Sequence, residues 1–259
     1  MAPSSDTSDP KRIQAVQTSL AILEALKENQ TAGVTEIAHA IGVTKGTAYN
    51  HLATLREEGY VVKTEADEYQ LGLKFADLAY HAKARVPILS LARAEVEKLG
   101  EKSGEMALFT VEEHGLGVCL HVAYGEDAVT TPLHVGYRNT LHHTAVGKAI
   151  LAHLPEEDVR EIIDRRGLRQ VTEHTITDEE TLFEELADVR RRGIAFNEEE
   201  TMHGLVGVGA PVIDQEGEVL GALSVIGPRS RFDEERFRQE LPDMITRHVN
   251  IIEINLTSL

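Results

Sequence analysis

The chain has 259 residues, a formal net charge of −17 and a single cysteine, Cys119. It shows no signal peptide and no apolar run of the roughly 18 residues that a membrane span requires, so no membrane association is expected. One cysteine excludes an internal disulfide framework and fits a reducing compartment, which predicts a cytoplasmic protein. Residues 1–10, rich in Ser, Pro and Asp, are expected to form a disordered tail.

The acidic charge is unevenly distributed along the chain. Residues 11–64 hold six basic and five acidic side chains, so the whole of the acidic excess lies elsewhere. Lysines number nine, against seventeen arginines and thirty-one glutamates. An acidic, lysine-poor surface keeps a protein hydrated at molar salt, and we therefore expect a halophilic, archaeal source.

Residues 35–58 are predicted to form two short helices joined by a tight turn. Thr35 is a suitable N-cap for the first helix, and Thr44 caps the second. Between them, Gly42 accepts the left-handed backbone conformation that a sharp turn needs. The pattern is typical of a helix-turn-helix motif, although an ordinary pair of surface helices would share it.

The second of these helices has two different faces. Ala48, Leu52 and Leu55 recur at i, i+4 and i+7, so they lie on one buried stripe. The opposite face and its flanks carry small and hydrogen-bonding groups, which suit insertion into a DNA major groove. Together with the two caps, the predicted DNA-contacting residues are Thr35, Thr44, Lys45, Gly46, Thr47, Tyr49, Asn50 and Thr54.

The segments on either side of the two helices favour the DNA-binding interpretation. Residues 60–62 and 69–71 flank a polar turn, which indicates a β-hairpin and therefore a winged motif. A third helix is predicted before these two, because five apolar residues recur there at spacings of three and four. These are Ile13, Val16, Leu20, Leu23 and Leu26. Residues 11–72 are therefore predicted to be a winged helix-turn-helix DNA-binding domain.

The rest of the sequence mixes helical and strand-like segments. Residues 73–86 are predicted to be a linker helix that ends before Pro87, because the residue before proline avoids the helical conformation. The mixture that follows, over residues 87–259, predicts an α+β domain with one antiparallel sheet flanked by helices. Its predicted strands are 105–111, 117–122, 129–135, 207–213 and 219–226, its predicted helices are 88–99, 144–154, 156–165, 178–192 and 237–254, and 136–140 is a predicted loop.

Several stretches, in the correct order, resemble a known family. They include VTEIAHAIGVTKGTAYNHLATL in the first domain and GYRNTLHHTAVGKAILA and GALSVIGP in the second. Over nearly its whole length the chain resembles the IclR family of transcriptional regulators. The resemblance implies a GAF-like effector-binding domain, no enzymatic activity, and no cofactor apart from a small effector, commonly an organic acid or a sugar-derived compound. It also implies a ligand-responsive regulator of a catabolic pathway that binds palindromic double-stranded operator DNA as a homodimer or a dimer of dimers.

The DNA-binding domain departs from the family pattern in its recognition helix, where Gly46 takes the place of a Ser that is usual in the family. Asn50 stands where an Arg is common, and His51 replaces an aliphatic residue. Asn pairs bidentately with adenine, so we expect the operator to be read through an A·T pair at that position. The wing tip, residues 64–68, is acidic, which argues against phosphate contacts there.

The family's effector pocket can be carried over residue by residue. Ala145 and Val146 fall at a predicted helix N-terminus, where a carboxylate is favoured. Asn197 replaces a carboxylate found in some members and Ile226 replaces a serine, so the pocket is expected to be roomier and less polar. The resemblance implies that the effector-binding residues are Arg138, Asn139, His142, Ala145, Val146, Asn197, Gly207 and Ser224.

Other functions have weaker support in the sequence. The stretch AVGKA at 145–149 lacks the first Gly and the final Ser or Thr of a phosphate-binding loop. The histidines and Cys119 lack the short spacings of a zinc site, and no G-x-S-x-G elbow is present. We therefore predict no catalytic and no metal site. One alternative is a metabolite-binding module whose winged helix serves protein–protein interaction, and another is a regulator that needs no ligand.

Overall fold

The computed structural model describes residues 12–256 of the chain. It divides into two compact units, with the boundary between Arg85 and Val86. The predicted tail, residues 1–10, lies outside the described residues. None of the helices within the described range is long and apolar enough to cross a membrane.

The N-terminal unit is a winged helix-turn-helix. Its elements are α1 (Gln14–Asn29), α2 (Val34–Ala40), α3 (Lys45–Glu57), β1 (Val61–Lys63), β2 (Tyr69–Leu71) and α4 (Lys74–Ala84). The strands β1 and β2 pair antiparallel and form the wing, with Val61 opposite Leu71. A small core joins these elements, and its largest contributors are Ile22, Leu26, Ile37, Leu52, Val61 and Tyr69. The predicted winged motif is therefore confirmed.

Two local predictions in this unit are wrong. Ile13, Val16 and Leu20 on α1 are 67%, 53% and 56% exposed, because only the C-terminal half of the helix packs against the core, through Ile22 and Leu26. The N-cap of α2 is not Thr35 but Gly33, two residues earlier. Glu36 explains the earlier start, since its carboxylate accepts a 2.8 Å hydrogen bond from the Gly33 N–H and so satisfies a backbone donor at the helix entrance.

The C-terminal unit is α+β, with one six-stranded antiparallel sheet flanked by helices, as predicted. The spatial order of its strands is β5-β4-β3-β8-β7-β6. One core contains residues of α5 and α9, and the other contains residues of α6, α7 and α8. The elements are α5 (Leu89–Ser103), β3 (Met106–Glu113), β4 (Leu116–Tyr124), β5 (Arg138–Thr140), α6 (Ala145–Leu151), α7 (Glu156–Arg166), α8 (Glu179–Arg192), β6 (Ala195–Glu198), β7 (Leu205–Ile213), β8 (Val219–Pro228) and α9 (Leu241–Leu256).

The structure corrects several boundaries in this unit. Residues 129–135 form no strand, and the predicted loop 136–140 contains β5, which pairs with residues 116–118 of β4. Helix α5 does not end at Gly100 but continues to Ser103 and is capped by Gly104 at φ +71°. At Gly100 an added Cβ would lie 3.1 Å from the Ala123 Cβ, so this glycine serves the close packing of α5 on β4 rather than helix termination.

Candidate DNA-binding surface and effector cavity

The turn between α2 and α3 has the geometry that its sequence predicts. Gly42 adopts φ +70°, which residues with a side chain rarely adopt. Thr44 then caps α3, because its hydroxyl oxygen accepts a 3.1 Å hydrogen bond from the Thr47 N–H. On the inner face of α3, Ala48 and Leu52 are fully buried. The turn and the burial of Ala48 and Leu52 therefore determine which face of α3 is exposed to solvent.

The outer face of α3 carries polar and aromatic side chains. Lys45, Gly46, Tyr49 and Asn50 are exposed, and Tyr49 retains 55% of its surface. The hydroxyl of Thr54, also exposed, donates to the Asn50 carbonyl at 3.2 Å. The predicted DNA-contacting residues of α3 thus lie on its outer side, apart from Thr47, which is half-buried with its hydroxyl 2.9 Å from that of Thr44. Thr35 is exposed on α2.

His51 joins the recognition helix α3 to helix α1. Its Nδ1 lies 2.8 Å from the Ser19 Oγ. Sequence analysis marked His51 as unusual but gave no partner for it, because residues 32 positions apart in the sequence cannot be paired without the fold. The contact braces α3 against α1.

The wing carries its own counterion. The ammonium of Lys63 pairs with the carboxylate of Asp67 at the wing turn, and this hydrogen bond raises the pKa of Lys63 above its ordinary value. Asp67 adopts φ +68° within the turn. A lysine whose positive charge is paired with a carboxylate in this way contributes little net attraction toward phosphate. This agrees with the acidic composition of residues 64–68.

In the C-terminal unit, a cavity of about 330 Å³ opens between α6 and the central strands of the sheet. Most of its surface is apolar, and its polar groups include amides, hydroxyls, one imidazole and one guanidinium. Among the residues that line it there is no Asp, Glu or Lys, and Arg169 provides the one guanidinium. The lining includes Met106, Leu108, Thr110, Cys119, Leu133, Tyr137, Asn139, His143, Ala145, Val146, Arg169, Asn197, Thr201, Met202, Gly207, Ser224 and Ile226.

One wall of the cavity is a connected polar network. The Asn197 amide donates to the Thr201 Oγ1 at 2.7 Å, and its Oδ1 accepts from the Glu200 N–H at 2.9 Å. Thr201 in turn donates to the carbonyl of His143 at 2.8 Å. These bonds fix the orientation of the Asn197 amide, because its nitrogen faces a hydrogen-bond acceptor and its oxygen faces a hydrogen-bond donor. The cavity wall therefore presents a preset pattern of donors and acceptors.

His143 is a neutral group at this wall. It is 2% exposed, and burial, together with the neighbouring His142, lowers its pKa to about 4. Its Nε2 lies 2.7 Å from the Thr140 Oγ1, and its Nδ1 lies 3.4 Å from the Thr201 Oγ1. At neutral pH the imidazole consequently offers hydrogen bonding without charge.

Six of the eight predicted effector residues line the cavity, and two do not. The six are Asn139, Ala145, Val146, Asn197, Gly207 and Ser224. Arg138 instead pairs with Glu113 of β3, because it lies on a strand whose successive side chains alternate between faces, and Asn139 takes the cavity side. His142 is turned away as well, and its Nε2 lies 3.1 Å from the Arg169 carbonyl oxygen. Its pKa is lowered, chiefly by burial.

Three polar residues of the cavity lining, His143, Thr201 and Arg169, are not among those that the sequence analysis predicted. His143 is adjacent to the predicted His142, so the local signal was present but assigned to the wrong histidine. Thr201 and Arg169 lie outside the stretches that carry the family resemblance, and Arg169 comes from the connection between α7 and α8. No periodicity or motif in the sequence marks Arg169. Its place in the cavity lining is seen only in the folded structure, where the connection between α7 and α8 packs beside the cavity.

Two glycines, one within α6 and one on β7, allow close backbone packing around this helix. A Cβ at Gly147 would lie 2.0 Å from the Leu141 carbonyl oxygen, and a Cβ at Gly209 would lie 2.9 Å from the backbone of Ala145. Both distances are shorter than real Cβ contacts allow, so backbone packs directly on backbone at these points. The cavity wall formed by Ala145 and Val146 is thereby held at a fixed distance from β7.

A larger groove, of about 700 Å³, lies between α7 and α8. Its floor is apolar and its rim carries Glu156, Glu179, Glu180, Glu184, Arg160 and Arg190. It is more open than the cavity beside α6, and no network of buried amides and hydroxyls faces it. Over residues 12–256 no group of three or more His, Cys, Asp or Glu side chains is arranged to hold a metal ion.

Comparison with known proteins places both units in one family. Residues 15–65 match the family described as IclR helix-turn-helix domain, and residues 80–253 match the one described as Bacterial transcriptional regulator IclR C-terminal. A probable HTH-type transcriptional regulator, ArcR, from Halobacterium salinarum is 34% identical over 96% of this chain and 95% of its own length. The transcriptional regulator KdgR of Escherichia coli is 32% identical over 89% and 88%. The crystal structure of Thermotoga maritima IclR, at 27% identity, superposes with a TM-score of 0.79 and covers 95% of this chain and 99% of that one.

Proposed function

Because this chain belongs to the IclR family of transcriptional regulators, we propose that α3 reads operator DNA and that the cavity beside α6 binds the effector. The family consists of ligand-responsive, DNA-binding regulators, and it is not a family of enzymes. The observation that carries the assignment of the effector site is the enclosed cavity whose buried amide, hydroxyl and imidazole groups form one network.

The DNA-contacting set consists of the exposed groups of α3 and of the two helix starts. Asn50 and Tyr49 reach base edges, and Lys45 provides a phosphate contact at the start of the helix. Asn50 is assigned to an adenine, since its amide matches the acceptor and donor of that base in the major groove. Thr35, Thr44, Gly46, Thr47 and Thr54 complete the surface. The acidic wing, with Lys63 already paired to Asp67, stays away from the phosphates.

The cavity best fits a small monocarboxylate with an apolar body. Its lining holds one guanidinium, that of Arg169, and no carboxylate, so a single negative charge is matched and a cation is not. The apolar lining, which includes Leu108, Leu133 and Ile226, suits a ring or a branched chain. Asn197 and Ser224 then provide hydrogen bonds to a further polar group on the ligand. A volume of about 330 Å³ admits a one-ring acid but not a large, highly charged metabolite.

Assembly and cellular setting complete the proposal. A palindromic operator is matched by a two-fold dimer, so we assign a homodimer or a dimer of dimers in which residues 11–72 bind DNA, 73–86 link and 87–259 bind the effector. A regulator of transcription works where the DNA is, which is the cytoplasm of a prokaryotic cell. An organic-acid effector indicates control of a catabolic pathway.

The decisive test is fluorescence anisotropy of the full-length protein on its own upstream DNA in molar KCl, with a scrambled duplex as control. We expect specific binding that shifts when an aromatic or branched monocarboxylate is added. Specific binding that responds to no added acid would point to another ligand class or to a regulator without a ligand. Equal binding to both duplexes would instead favour the alternative, a metabolite-binding module whose winged helix contacts a protein.

A further inference from the structure

A buried ion pair lies directly behind the polar wall of the effector cavity. Lys148 Nζ donates to the Glu200 Oε1 at 2.6 Å, and the two residues are 3% and 4% exposed. Neither residue lines the effector cavity. Removing two charges from water is costly even when they pair, and apolar residues of the same volume often stabilise a fold as well or better. A pair at this position therefore calls for an explanation other than stability.

Hydrogen bonds connect the pair to the cavity. Glu200 ends a short turn, and its N–H donates to the Asn197 Oδ1 at 2.9 Å. This bond fixes the Asn197 amide so that its nitrogen faces the Thr201 Oγ1 at 2.7 Å. Asn197 and Thr201 both line the cavity, whereas Glu200 lies between them in the sequence and does not. The position of the Glu200 backbone thus bears on how Asn197 and Thr201 are presented to the cavity.

The turn depends on anchors outside itself. Glu199 adopts φ +65°, which a residue with a side chain holds only when its surroundings require it. Thr172 and Thr175 donate to the carbonyls of Glu199 and Glu200, each at 2.8 Å. These bonds hold the turn backbone, and the Glu200 side chain is held by Lys148.

The carboxylate of Glu200 depends strongly on that one lysine. Its Oε2 has no hydrogen-bond partner among the described residues, and its Oε1 has Lys148 and a long 3.5 Å contact with the Glu198 N–H. Burial raises the pKa of Glu200 above its ordinary value, and Lys148 opposes the rise. Lys148 itself lies on α6 and also reaches the Glu185 Oε1 of α8 at 3.3 Å.

We propose that Lys148 and Glu200 are positioning residues for effector recognition. By joining α6 to the turn at residues 197–201, the pair holds Asn197 and Thr201 in the orientation that faces the ligand. The inference rests on the proposed function, because it takes the cavity to be the effector site. It requires that the pair controls discrimination between ligands that differ in a hydrogen-bonding group, and not merely how stable the domain is.

The ligand experiment compares benzoate with 4-hydroxybenzoate by titration calorimetry on full-length protein. Lys148→Met leaves a buried carboxylate, so the double variant Lys148→Met with Glu200→Leu is included because an apolar pair tolerates burial. In both variants we expect the affinity ratio of the two acids to change about fivefold to tenfold, the equivalent of one hydrogen bond. Glu200→Gln retains an acceptor for Lys148 and should keep the wild-type ratio.

The matched control is Glu95→Gln. Glu95 forms an equally buried pair with His248 at 2.6 Å, between α5 and α9, and lies outside the cavity lining. Glu95→Gln should leave the affinity ratio of benzoate and 4-hydroxybenzoate unchanged, even if the domain loses stability. A ratio that is the same in wild type, Lys148→Met and the double variant would overturn the proposal. A ratio that changes equally in Glu95→Gln would overturn it as well, because the effect would then be general.

A second readout needs no ligand. Amide hydrogen exchange at Glu200 reports the bond to Asn197 directly, and we expect exchange about tenfold faster in Lys148→Met and in the double variant, but not in Glu95→Gln. Unchanged exchange in both would refute the positioning role. If the wild-type protein binds neither acid, the monocarboxylate assignment in the proposed function fails, while the exchange comparison still decides whether the pair holds the turn.

Discussion

The Nε2 of His143 lies 2.7 Å from the Thr140 Oγ1, and the imidazole of His143 is packed at a ring-centroid distance of 4.8 Å from that of His142. Two adjacent imidazoles in a buried setting cannot both carry charge at small cost. Burial lowers the pKa of both, that of His143 to about 4. The cavity is therefore lined by one histidine, His143, and backed by another, His142, and His143 stays neutral across the physiological range.

This arrangement predicts acid sensitivity that originates in His143. The unfolded chain takes up a proton near the ordinary pKa of 6.5, but the folded protein does so only at about 4. Stability contributed by the neutral ring is thus complete above 6.5 and is lost as the pH falls toward 4. We expect His143→Gln to remove on the order of 1–3 kcal/mol of this loss. Urea unfolding at several pH values measures it, and parallel pH profiles for variant and wild type would contradict the assignment.

Asn50 should determine one base pair of the operator. Asn50→Ala is expected to weaken specific binding by about 1–3 kcal/mol and to reduce the preference at that position. The check is a double-mutant cycle in anisotropy, in which the A·T pair is changed to G·C. If Asn50 reads the adenine, the base change will cost wild type far more than it costs the variant. Additive losses would remove Asn50 from the set of base-reading residues.

Two glycines on β7 should respond differently to the same substitution. A Cβ at Gly207 meets its nearest neighbour, the Ile226 Cγ1, at an ordinary 3.5 Å, but a Cβ at Gly209 would lie 2.9 Å from the Ala145 backbone. Gly207→Ala is therefore expected to keep stability within about 1 kcal/mol while weakening the binding of ligands that fill the cavity. Gly209→Ala should destabilise the domain by about 1–3 kcal/mol, because α6 must shift. Thermal unfolding with and without benzoate separates the two effects, and equal loss of stability would refute the distinction.

The contact between His51 and Ser19 should contribute to the stability of the DNA-binding unit. Ser19→Ala leaves the His51 Nδ1 without the partner found at 2.8 Å, and we expect a cost of about 1 kcal/mol. His51→Leu, which restores the aliphatic residue usual in the family, should make the Ser19 substitution nearly neutral. Chemical unfolding of the four proteins in this cycle gives the coupling energy. A coupling near zero would mean that solvent replaces the contact.

The surface charge predicts a dependence on salt. With a net charge of −17, repulsion among carboxylates weakens as the ionic strength rises. We expect the unfolding temperature to increase steadily from low-salt buffer to molar KCl. A maximum in low-salt buffer would exclude halophilic adaptation and assign the acidic composition to another cause.

The sequence predicted the helix-turn-helix well because its determinants are local. The cap at Thr44 and the turn at Gly42 act within a few residues, so no distant contact is needed to recognise them. The stripe on α1 was assigned less accurately, since spacing alone cannot tell which half of a helix meets a partner. Ile13, Val16 and Leu20 satisfy the periodicity and yet remain exposed.

The effector cavity illustrates the opposite case, where the determinants are non-local. Asn139, at a position taken for a loop, lies on β5 and faces the cavity, while its neighbour Arg138 does not. The register of β5 determines which of these two side chains faces the cavity. The register of a strand of only three residues cannot be predicted from a loop-like sequence. Arg169 and Thr201 line the cavity. They come from chain segments that lie beside it only in the folded protein.

The glycine at 147 also has an evolutionary consequence. Any side chain at this position would collide with the Leu141 carbonyl, so α6 and the preceding loop form a frame that tolerates almost no variation. The side chains around the cavity, such as Ile226 and Met202, carry no such constraint. We therefore expect effector specificity to change through the lining side chains, while Gly147 is retained.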